Sequence, residues 1–181
     1  MAWPKESAAA FSGASGQAAV VAELLQRKCN AAIPLVDIGT DVFAFKDDRE
    51  EVARIQVKTD TAKPYKDGKG YHARFSIPLK QLSHSDNPKL FYALAVRFHN
   101  QWANYIVIGR VELESLRYKG CGSRESENLI LRIAFHLDNN EKPEVANAQC
   151  GEFDFTAYLN AWHRLPPLKM PAQFEPGHPQ A

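Results

Sequence analysis

Residues 90–98 read L-F-Y-A-L-A-V-R-F, a nearly unbroken apolar run of strand length. A strand that is apolar on both faces belongs at the centre of a sheet with a layer on each side. Leu129, Leu131, Ile133, Phe135 and Leu137 alternate instead, the pattern of a strand with one covered face. Ser15 or Gly16 to about Lys28 has helical spacing. At 100° per residue, Val20, Val21, Leu24 and Leu25 cluster on the face centred near Gln17, while Glu23 falls beside Arg27 on the solvent side. These patterns permit an α/β fold without fixing its topology.

Around these anchors, Met1–Ser12 reads as a loose lead-in and Asn30–Pro34 as a connection. Leu35–Phe45 reads as a strand bent at Gly39, Val52–Thr59 as the next strand, and K-D-D-R-E-E between them as a turn. Asp60–Gly70 is a polar loop, Tyr71–Ile77 a strand, and Pro78 opens a short helix. Asn104–Ile108 follows as a strand and Arg110–Tyr118 as a helix. Lys119–Glu127 and Asn139–Gln149 read as loops, and Gly151–His163 as a short aromatic helix whose rings belong in a core. With 181 residues the chain suits one domain, over 1–164, followed by a proline-rich tail, 165–181.

The chemistry concentrates between Asp37 and Lys58. D-I-G-T-D places carboxylates around a glycine bend, and R-I-Q-V-K follows after a hairpin-length gap. In a strand, side chains alternate faces, so Gln56 and Lys58 share one face and Ile55 and Val57 the other. An amide and an ammonium then stand together near Asp41. Such a face holds a metal and a phosphate, or is simply solvated, and the bend is a site or a turn. A calcium loop is excluded, because Val42 stands where an EF-hand needs glycine. Gln17 either faces this site or caps the first helical turn with its amide. Asp37 is an auxiliary ligand or a turn residue. His72 reaches the site or sits on a strand surface.

G-A-S-G-Q on the helix, A-E-L-L after it, D-I-G-T-D and I-Q-V-K-T, in that order and spacing, resemble the PD-(D/E)xK nuclease superfamily in its compact bacterial form. The likeness covers about Gly13–Thr59 closely and continues through strand order to about Leu137. It implies a mixed central β-sheet flanked by helices, with a restriction-endonuclease-like core. It implies a Mg²⁺- or Mn²⁺-dependent endonuclease acting on DNA, with Asp41, Gln56 and Lys58 catalytic. Asp41, the Gln56 amide oxygen and the Val57 backbone carbonyl would bind the metal, with Gln17 and Asp37 auxiliary. Thr59, Lys63, Lys66 and Lys69 would touch nucleic acid. Gln17 and Gln56 stand where the pattern often has acids, so the implied metal site has lost negative charge. The same resemblance accommodates an inactive domain that binds nucleic acid or protein, for instance in bacterial antiviral defence. A protein partner or a homodimer is compatible with either.

A formal net charge of +1 provides no global field for nucleic acid, so binding must be local. Lys58–Lys80 is the densest basic stretch, with six Lys/Arg against two Asp, and is a phosphate-contacting flap or an ordinary solvated loop. Cys29, Cys121 and Cys150 make no C-x-x-C pair and no zinc pattern, and free thiols fit a cytoplasmic setting. The sequence has no apolar leader and no run near ~20 apolar residues, so no membrane contact is expected. P-loop, G-x-S-x-G and H-E-x-x-H motifs are absent.

Overall fold

In the computed structural model, residues 5–36, 39–48, 50–83, 88–138 and 144–168 are described. The chain forms helix α1 (Lys5–Gln26) and then strands β1 (Asn30–Ala32), β2 (Val42–Phe45), β3 (Val52–Thr61), β4 (Lys63–Pro64) and β5 (Gly70–Pro78). Helix α2 (Leu79–Leu82), strands β6 (Leu90–Phe98) and β7 (Gln101–Gly109), and helix α3 (Arg110–Tyr118) come next. Strands β8 (Ser123–Glu125), β9 (Asn128–Leu137), β10 (Val145–Cys150) and β11 (Phe153–Asp154) follow. Three short 3₁₀ turns end the described chain.

The architecture is α/β, with a mixed central sheet and flanking helices. The central sheet has the order β1-β2-β3-β6-β7. β3 pairs in parallel with β6, and the other pairs in that sheet are antiparallel. One face is covered by α1. Val20 and Leu24 are fully buried there against Ile55, Val57, Ala93, Ala95 and Val107. The opposite face is covered by a second, antiparallel sheet built on β9, β5 and β10. The alternating residues Leu129, Leu131, Ile133 and Phe135 meet Tyr92, Leu94 and Val96 in that interior. β6 is therefore buried on both faces, which is why its sequence is apolar almost throughout. Each fully buried Leu, Ile or Val contributes about 1.5–3 kcal/mol.

Several elements depart from the sequence expectations. The expected lead-in is largely helix, because α1 starts at Lys5 and its alanines favour that state. Gly16 is retained at a close crossing, where a Cβ would lie 2.2 Å from Thr59 Cγ2. At the other end Lys28 adopts φ +57°, and the bonds Cys29 N→Leu24 O and Lys28 N→Leu25 O close a Schellman-type stop. The expected strand from Leu35 is strand only from Val42, and Leu35 and Val36 are exposed. The loop expected over Asn139–Gln149 contains β10. The aromatic segment forms 3₁₀ turns after β11, not a regular helix. Leu165, Pro166 and Pro167 are buried, so packing continues past the expected boundary at Arg164. Residues 169–181 lie outside the described chain. One helix, over Ser7–Gln26, has the length and composition to cross a membrane, although no such span is expected from the sequence.

Candidate active site

β2 pairs with β3 only up to Val42↔Ile55. Just before it, Gly39 takes φ +94°, a conformation that side chains other than glycine rarely adopt, and turns the chain into Thr40 and Asp41. Asp41 N donates to Ile55 O at 2.9 Å. Past that point a side chain continues the ladder. Asp41 Oδ2 accepts from Val57 N at 2.6 Å and from Gln56 Nε2 at 2.6 Å. Gln17 Nε2 of α1 donates to the Asp41 backbone carbonyl at 2.5 Å. One residue is thus fixed by a helix side chain, a strand amide and a strand side chain.

Gln17 sits well inside α1, so the capping alternative falls away, and its amide instead ties the helix to the bend. Gln56 is 5% exposed, and its Oε1 is buried without a hydrogen-bond partner. A Cβ at Gly39 would lie 3.9 Å from that oxygen and 3.7 Å from Nε2 of Gln81. Gln81, on α2, therefore also walls the bend. It has no sequence signal, since it reaches the site only through the crossover between β5 and β6.

The register Gln56↔Tyr92 and Lys58↔Leu94 places Lys58 on the same face as Gln56. Asp41 bonds to the Gln56 side chain, and Lys58 stands two residues along β3 on the same face as Gln56. Lys58 is half-buried and forms no ion pair among the described residues. The Val57 carbonyl points to the same edge as its N–H, toward Asp41. Thr59 stands on the other face of β3 from Lys58. Alternation turns it to the α1 side, against Gly16, away from the Lys58 face. Asp37 lies outside the described residues.

Asp60 shares the Gln56–Lys58 face and went unnoticed in the sequence. Its carboxylate accepts from Arg74 N at 2.6 Å and ties β3 to β5. Lys63, Lys66 and Lys69 are exposed on the β4–β5 hairpin. That hairpin is ordered by Tyr65 N→Gly70 O, Lys69 N→Asp67 Oδ1 and Leu137 N→Lys69 O. His72 lies on its outer side, stacked on Tyr65 with ring centroids 5.5 Å apart. No cluster of three His, Cys, Asp or Glu suited to a metal occurs among the described residues. Among the described residues at the bend, Asp41 is the carboxylate that bonds directly to Gln56 and Val57.

No known family profile matches the chain, and no curated protein matches it. Among solved structures, the chain is similar to the Holliday junction resolvase Hjc of the archaeal hyperthermophile Archaeoglobus fulgidus. Identity is 13%, the match covers 66% of this chain and 82% of that one, and the TM-score is 0.41. It is also similar to the bacterial homing endonuclease I-Ssp6803I, at 13% identity, with 84% and 86% covered and a TM-score of 0.44.

Proposed function

We propose that this protein hydrolyses phosphodiester bonds of DNA with the help of a weakly held divalent cation. The observation that carries the reading is the Gln56–Asp41 hydrogen bond where β2 stops and β3 continues, with Lys58 two residues along on the Gln56 face. The oxygens available for a cation are the Asp41 carboxylate, the partnerless Gln56 Oε1 and the Val57 carbonyl. All are hard donors that suit Mg²⁺ or Mn²⁺, and Oε1 makes no hydrogen bond that would hold the amide in its present orientation. Gln56 at present directs its Nε2 to Asp41, so its amide must turn over to offer the oxygen. With a single carboxylate the affinity is low until a DNA phosphate adds charge.

When bound, such a cation polarises the phosphate and lowers the pKa of a bound water. The protein's own residues do the rest. Asp41 is held in place by Val57 N and Gln17, so its carboxylate needs no reordering. Lys58 donates to the phosphate oxygen on which charge builds. Lys63, Lys66 and Lys69 hold the flanking backbone, which places the field locally in a chain of net charge +1. A cytoplasmic setting belongs to the same proposal and suits the free thiols of Cys29, Cys121 and Cys150.

One observation favours a second reading. The Gln56 amide already satisfies Asp41, as expected of a retired site in a domain that binds nucleic acid without cutting it. A nuclease assay on plasmid, linear and branched DNA and on RNA decides between them, with Mg²⁺ or Mn²⁺ against EDTA. Metal-dependent cleavage that disappears in Lys58→Ala supports the enzyme. DNA binding without cleavage under every condition, unchanged by Gln56→Glu, leaves the binding module.

A further inference from the structure

A hollow of about 740 Å³, none of whose lining residues belongs to the Asp41 bend, lies between the β4–β5 hairpin and the β6–β7 hairpin. Its aromatic wall is continuous. Phe98 stacks on Tyr71 with centroids 4.3 Å apart and an interplanar angle of 22°, and His99 leans on Phe98 at 4.0 Å. Its polar side is a chain of amides. Asn104 Nδ2 donates to the Tyr71 hydroxyl at 2.6 Å, Asn160 Nδ2 donates to Asn104 Oδ1 at 3.1 Å, and Tyr105 N donates to Asn160 Oδ1 at 2.9 Å. Burial pushes the Tyr71 phenol up to about 12, against the Asn104 hydrogen bond, so it keeps its proton at neutral pH. Pro64 and Gly68 bring the lysine-bearing hairpin to the rim.

We propose that this hollow receives one unpaired nucleobase of a nucleic acid whose backbone lies on Lys63, Lys66 and Lys69. The proposal rests on the nucleic-acid reading above and specifies its substrate class: strands carrying a bulged, looped or otherwise unpaired base. The volume falls within the range of small-ligand pockets, roughly 300–1,000 Å³, and leaves room for a base with part of its sugar. Tyr71 is stacked between Phe135 and Phe98, so the ring offered to a base is the exposed His99 at the end of that stack, and stacking on one ring accepts any base. Each asparagine can make four hydrogen bonds, so Asn104 and Asn160 retain donor and acceptor capacity for a base edge. Glu144 at the rim disfavours a bare phosphate inside the hollow and leaves the phosphates to the lysines outside. A base paired in a duplex presents no free face, so fully paired DNA makes only the backbone contacts.

The test uses the full chain and three duplexes: one with a single bulged 2-aminopurine, one with an abasic bulge, and one fully paired. The expected result is 2-aminopurine quenching on binding and about tenfold tighter binding of the base-bearing bulge than of the abasic one. His99→Asn keeps a residue that tolerates the left-handed turn (φ +48°) but removes the ring, and it should cut that preference while leaving duplex affinity unchanged. Asn104→Ala provides a second variant, with thermal melting as the check on folding. Equal affinity for the base-bearing and abasic bulges, without quenching, overturns the inference while duplex binding still supports the broader reading. Failure to bind any of the three overturns both.

Discussion

β3 and β6 run side by side in parallel register and use the same face of the sheet in opposite ways. β6 presents Tyr92, Leu94 and Val96, all fully buried between the two sheets. Beside them β3 presents Gln56, Lys58 and Asp60. Packing alone would favour three more apolar side chains on β3. Leaving a buried amide oxygen without a partner costs about 1–3 kcal/mol. β6 therefore spends its sequence on stability, while β3 gives up stability to keep polar groups at one edge. The short β2 explains where that edge is. It spans four residues, so among the described residues no strand pairs with the second half of β3 on that edge, and the Asp41 side chain bonds to Val57 N there.

Substitutions on the two strands should separate these roles. Lys58→Ala is expected to lower cleavage by about 10²–10³-fold while changing unfolding free energy by no more than about 0.5 kcal/mol. Leu94→Ala, its neighbour on β6, should cost about 2–5 kcal/mol in denaturant unfolding through the cavity it leaves. Similar destabilisation by both variants would show that Lys58 is held for packing. Asp41→Ala should cost about 1–3 kcal/mol, because Val57 N–H and the Gln56 amide lose their acceptor. Asp41→Asn keeps an oxygen there and should cost less, yet it removes the charge and with it metal-dependent cleavage. A smaller effect is expected of Gln56→Glu. Two carboxylates then face each other, so melting temperature should fall without metal and recover on adding Mg²⁺, with calorimetry showing tighter binding than in the parent protein. The mildest case is the combined Lys63→Ala, Lys66→Ala and Lys69→Ala variant. Its logarithmic salt slope for DNA binding should flatten by about 2–3 with melting unchanged, and an unaltered slope would make the hairpin mere solvated surface.

The sequence was most legible where local pattern and tertiary environment agree. The apolar run of β6, the alternation of β9 and the bounds of α3 all follow from periodicity. Val145–Gln149 reads as loop from sequence because V-A-N-A-Q carries little strand signal. Its strand state comes from pairing with β9, a long-range contact. The site divides the same way. Gln56 and Lys58 share a face by alternation alone, and Asp41 follows from the bend. That Gln17 reaches the Asp41 carbonyl, and that Gln81 reaches Gly39, depends on a helix crossing and on a crossover that local patterns do not encode. Thr59 belongs to the nucleic-acid set through its place in I-Q-V-K-T, while strand alternation puts it on the face opposite Lys58.

The parallel pairing of β3 with β6 also sets an order in time. Gln17, Asp41, Gln56 and Lys58 have all been synthesised by the time β3 is complete, but the strand that braces β3 on its other edge begins only at Leu90. The chain must first pass through β4, β5 and α2, and closing a loop of that length before any pairing rewards it is slow. A nascent chain that already carries every candidate catalytic side chain thus lacks the scaffold that aligns them. If the proposed activity holds, competence should arrive late, with the second half of the molecule, rather than with the candidate site residues.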